Sequence, residues 1–162
     1  MGAGPVREAL NLLTHESLVV VTPRHGLHVA GVSLPDLEQI SEMRLELEGL
    51  AASLAALRAT PDDLVVLDTL RREQASTPAG DTHRLLDLDH KFHQAVAKAA
   101  GNQYLAETLE RFFGLSLRLW YVALPHLDFL SGQVQLHVEL VEAIRIGDAG
   151  RAERVMREHV GG

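Results

Sequence analysis

Asp89, His93, His137 and His159 carry ligand-type side chains at positions that helical periodicity assigns to a core. Asp89 and His93 are spaced i, i+4, so both project from one helix face, together with Leu85, Leu86, Phe92 and Val96. His137 falls in the stripe Leu130, Val134, His137, Val141, Ile144, and His159 in Ala152, Val155, Met156, His159. Burying such groups without compensation costs roughly 2–7 kcal/mol each. One shared divalent cation would supply the compensation. Nitrogen and carboxylate donors suit zinc first, and also nickel, manganese or iron. The chain has no cysteine, so thiolate sites and disulfides are excluded. The competing reading is three hydrogen-bonded core histidines and a local Asp–His contact. On periodicity alone both readings stand.

Arg44 interrupts an apolar stripe on an earlier helix, Leu37, Ile40, Arg44, Leu47, Ala51, Leu54. Its guanidinium favours carboxylates. That makes it either one half of an internal salt bridge, with a glutamate or Asp89, or an anchor for an acidic ligand beside the metal. Arg118 is a weaker case of the same kind. Trp120 and Tyr121 line a pocket or simply fill the core. His83 and Asp87, also spaced i, i+4, and His90 project away from the apolar stripe and are expected at the surface.

The elements that position these residues are helices. Thr60-Pro61-Asp62-Asp63 is a helix start, Gly101 a left-handed stop, Asn102 a new start, and Gly147-Asp148 a stop followed by a cap. The expected helices run over about 34–59, 60–75, 81–100, 102–124, 127–146 and 148–160. Amphipathic helices joined by short loops predict an all-α antiparallel bundle of about six helices over 33–162. Residues 1–32 read differently, as a short helix over 5–13 and a two-stranded hairpin from Leu18–Thr22 and Leu27–Ala30, too small to hold a core alone.

The chain has 162 residues, 46% of them hydrophobic and 23% charged, with a net charge of −7. That composition fits one sizeable globular domain and argues against nucleic acid wrapping the whole surface. No apolar run approaches the ~20 residues of a membrane span, and no signal peptide is recognisable. A cytoplasmic location is the expectation.

The ordered motifs resemble the GntR family of bacterial transcription regulators, in the FadR-like subgroup with an FCD effector domain. Pro5-Val6-Arg7-Glu8-Ala9-Leu10 is similar to the end of its DNA-recognition helix, and 18–29 to its wing. Met43 to Glu48 with the alanines that follow, Asp89-His90-Lys91-Phe92-His93, Ala99-Ala100-Gly101-Asn102, and the run from His137 to His159 resemble the effector domain. The resemblance implies that Asp89, His93, His137 and His159 bind a divalent metal and that a small organic acid binds against it, with Arg44 and Arg118 as candidate ligand contacts. It implies a homodimer, and operator DNA contacts from Arg7, Arg24 and Gly26. It also implies that 1–32 is a partial winged helix-turn-helix. The two preceding helices are missing, and Gly2-Ala3-Gly4 stands where the family has Ser-Arg-Thr, so DNA docking is expected only in a longer context. Other functions compatible with the residues are a metal-dependent hydrolase, which would need a general base near the ion, and a purely structural dimerisation module.

Overall fold

The computed structural model describes residues 20–22, 26–29, 32–123 and 131–162. Six helices dominate them: α1 Leu34–Arg58, α2 Pro61–Ser76, α3 Thr82–Ala99, α4 Gln103–Ala123, α5 Ser131–Ile146 and α6 Ala149–Gly161. Three short strands precede the helices: β1 Val20–Thr22, β2 Gly26–Val29 and β3 Val32–Ser33. They pair antiparallel in the order β1-β2-β3, with Val21 opposite Leu27 and Val29 opposite Val32. The expected two-stranded hairpin thus gains a third strand. At two residues, β3 is too short to carry a period-2 signal. The expected helix over 5–13, the strand ends Leu18, Val19 and Ala30, and the expected start of the fifth helix near residue 127 lie outside the described residues.

The helix ends follow local chemistry. Thr60 and Asp63 form a reciprocal capping box, the Asp63 N–H donating to Thr60 Oγ1 at 3.2 Å and the Thr60 N–H to Asp63 Oδ2 at 2.9 Å, with Pro61 in the first turn. Asp81, Asn102 and Asp148 accept backbone N–H groups at the starts of α3, α4 and α6. Gly101 and Gly147, at φ +66° and +77°, end α3 and α5.

Helix α1 is the centre of the bundle, packing on α3, α4, α5 and most extensively on α6. Ala51, Ala52, Ala55 and Ala56 give it a small-residue face that lets other helices approach closely. Gly49 lies at a close α1–α6 approach, since a Cβ there would sit 3.0 Å from Arg157 Cγ. Arg157 closes that contact with a bidentate pair to Glu46, both N–H···O distances being 2.7 Å. The inner stripe of α1 differs from the expected one: Glu48 is buried with Leu37, Ile40, Arg44 and Ala51, whereas Leu47 and Leu54 are half-buried. Arg44 and Glu48 neutralise each other one turn apart, so the more polar register is the one that goes inside.

Candidate metal centre

All four predicted ligands are buried and converge. One donor atom from each of Asp89, His93, His137 and His159 lies within 4.8 Å of every other. Asp89 and His93 come from α3, His137 from α5 and His159 from α6. The three imidazoles meet through Nε2: His93 to His159 at 2.9 Å and His137 to His159 at 3.1 Å. Asp89 Oδ1 is 3.4 Å from Nε2 of both His137 and His159, and Asp89 Oδ2 is 3.6 Å from Nε2 of His93. Adjacent donors around an ion at roughly 2.1 Å are themselves about 3 Å apart, so these spacings suit a shared cation.

The outer nitrogens decide which lone pairs point inward. His137 Nδ1 donates to Gln74 Oε1 at 2.6 Å, leaving its Nε2 without a proton. His93 Nδ1 contacts the Glu48 carboxylate. Carbonyl and carboxylate partners of this kind orient metal-binding imidazoles and raise their basicity. Phe92 stacks on His137, with centroids 3.9 Å apart and planes 15° from parallel, which fixes that ring as well. The bare His137 Nε2, the Nε2 atoms of His93 and His159 and a carboxylate oxygen thus face one point in a buried interior. The chemistry of that donor set calls for a cation.

Burial and the neighbouring charges set how the four residues and Glu48 titrate with no metal present. Burial opposes charge on Asp89, but His93 and hydrogen bonds from the histidines hold its carboxyl well below the usual range. Glu48 behaves likewise: despite burial, the charges of Arg44 and His93 lower it to about 2. Burial works against the His93 cation, yet Glu48 and Asp89 raise it to about 9. Burial lowers His159 to about 4 and takes His137, with help from His159, well below its ordinary value.

Arg44 sits one residue away from this cluster. Its Nε donates to Glu48 Oε1 at 2.7 Å, so the expected internal salt bridge exists. Its Nη2, also buried, has no partner among the described residues. Arg118 is exposed on α4 and stands apart from the cluster, because two residues from buried Ser116 the helix has turned about 200°. Trp120 is buried against Arg44, while His90 is less exposed than expected, packing edge-on against Phe113 at 5.5 Å. His83 is exposed. Arg7 and Arg24 lie outside the described residues, and Gly26 opens β2.

Two residues of the site were not singled out from the sequence. Glu48 had a signal, its i, i+4 spacing from Arg44, but Leu47 beside it fits an apolar stripe better. It is also a second buried carboxylate near the cluster, which sequence reasoning did not find. Gln74, near the end of α2, had none.

Residues 39–162 match the FCD domain. The chain belongs to the FCD family. Its relatives within that family are helix-turn-helix transcription regulators of the GntR type. The HTH-type transcriptional repressor GlaR of Escherichia coli K12 is 31% identical across 99% of this chain and 77% of its own length. The regulator McbR of the same organism is 30% identical across 86% of this chain and 62% of its own. Among solved structures, E. coli McbR/YncC aligns at a TM-score of 0.66 with 26% identity, covering 95% of this chain and 78% of that one. Streptococcus agalactiae GntR aligns at 0.64 with 25% identity, covering 95% and 77%. The FCD match begins inside α1, so the four-residue cluster and both of its outer partners, Glu48 and Gln74, fall within the family's domain.

Proposed function

We propose that the chain is the effector-sensing part of a ligand-responsive transcription regulator. In this reading Asp89, His93, His137 and His159 hold one divalent metal, zinc by preference, with nickel, manganese or iron as alternatives. A small carboxylate binds against the ion, and the free Nη2 of Arg44 meets its charge. The observation that carries the reading is the convergence of three Nε2 atoms and the Asp89 carboxylate in a buried site. The bound ion would supply a fixed positive charge at which an acid can anchor, and the residues around it orient that acid.

The site reads as a sensor and not as a catalyst. Among the described residues, the one further carboxylate beside the cluster is Glu48, held between Arg44 and His93 and kept at about 2. A general base works best with a pKa near the working pH, which Glu48 is far below.

The domain assignment follows: 33–162 as effector domain and 1–32 as part of a winged helix, with Arg7, Arg24 and Gly26 toward operator DNA in a longer context. The active form is a homodimer in the cytoplasm. Ligand binding shifts the relative placement of the two DNA-reading units, which requires unequal affinity for the two arrangements. Among the described residues no helix is long and apolar enough to cross a membrane.

The test is a thermal-shift titration of small organic acids against metal-loaded and chelator-treated protein. Stabilisation by one or more acids that vanishes with the metal supports the reading. Equal shifts with and without metal refute the metal-anchored form of it.

A further inference from the structure

Phe113, Ser116 and Trp120 follow one another at i, i+3 and i+7 on α4, and all three are buried. The Arg44 guanidinium carbon lies 5.3 Å from the Phe113 ring centroid and 4.7 Å from that of Trp120. The guanidinium therefore lies along the stretch of α4 that Ser116 occupies between the two rings. Phe113 also packs against His93, centroids 5.8 Å apart, which ties this stretch to the metal cluster.

Ser116 is 1% exposed, and its hydroxyl has no hydrogen-bond partner among the described residues. A helical hydroxyl with nothing better to do bonds to the carbonyl four residues back. Thr69 and Thr108 do this, at 2.8 Å to Val65 O and 2.7 Å to Tyr104 O. Ser116 does not. A buried hydroxyl and a buried guanidinium nitrogen are thus both without partners on neighbouring positions beside the cluster. Unmade bonds of this kind are costly, and two together mark a place where something polar binds.

We propose that Ser116 is a specificity residue of the effector site, recognising a hydroxyl or oxo oxygen on an acid whose carboxylate meets Arg44. The ligand class is then the hydroxy- and oxo-acids, as opposed to plain carboxylic acids of the same length. This rests on the metal-and-acid reading above. Removing the Ser116 hydroxyl breaks no hydrogen bond among the described residues.

The experiment is calorimetric titration of metal-loaded protein with pairs of acids that differ by one hydroxyl: glycolate and acetate, 3-hydroxybutyrate and butyrate, malate and succinate. The wild type should bind the hydroxylated member of at least one pair about tenfold more tightly, as one added buried hydrogen bond allows. Ser116→Ala should bring that pair to within about twofold, and its ligand-free melting temperature should equal or exceed the wild type's. Equal binding within every pair, or a preference that survives Ser116→Ala, overturns the assignment to Ser116 and leaves the metal-and-acid reading standing. A lowered melting temperature with unchanged preference shows a structural serine and also overturns it. Binding of none of the six acids by metal-loaded wild type counts against both.

Discussion

His93 is the residue on which the charge balance of the site turns. With its proton, its cation stands between Glu48 and Asp89; with an ion present, its Nε2 is a ligand instead. With no metal bound, burial is outweighed by the Glu48 and Asp89 carboxylates, which raise the His93 pKa from 6.5 to about 9. A raised value means the folded state holds the proton more tightly, so this stability is full below about pH 6.5 and is lost as pH rises toward 9. His159 is lowered from 6.5 to about 4, and His137 is lowered too. For these the folded state resists protonation, so stability falls as pH drops below 6.5. Chelated protein should therefore show a melting-temperature maximum near pH 6.5–7, and metal should flatten the alkaline side by replacing the His93 proton. Thermal melts across pH 5–9 with and without chelator check this; an alkaline limb unchanged by metal contradicts it. Gln74→Leu should weaken metal binding about 10- to 100-fold by releasing His137 Nδ1, measured by competition with a metal-binding dye.

At the scale of elements, the site depends on how three helices meet. The α5–α6 turn sets His137 against His159, and it turns on Gly147 at φ +77°. Gly147→Ala should cost about 1–2 kcal/mol from left-handed strain, visible as a lower denaturation midpoint, and should weaken metal binding in step. The elements themselves were legible in the sequence because their ends carry strong local signals: Thr60-Pro61 with Asp63, Gly101-Asn102, Gly147-Asp148. The four clustered residues were legible because polar residues inside apolar stripes stand out. Glu48 was not, because hydropathy favours Leu47 at the neighbouring position, and one of the two partners that hold Glu48 inside, His93, lies on another helix. Gln74 and Ser116 were hidden for a related reason. A lone amide or hydroxyl is unremarkable on any helix until the opposite side chain is placed. Two-residue β3 has no periodicity to read.

For the molecule as a whole, the proposed site, assembled from α3, α5 and α6 and buttressed from α1 and α2, would make metal binding and folding one equilibrium. Metal at 100 times its dissociation constant should add about 2.7 kcal/mol, which for a domain of this size raises the melting temperature by roughly 5–10 °C. His137→Leu separates this from a merely structural cluster: it should abolish the metal-dependent rise, whereas a structural histidine replaced by leucine would leave a rise, if any, untouched. The most direct test is the metal content of the purified native chain, by mass spectrometry of the intact folded protein alongside elemental analysis. One divalent ion per chain is expected, lost in both Asp89→Asn and His137→Leu. A folded, monodisperse protein that carries no ion and takes up none from added zinc, nickel, manganese or iron would contradict it.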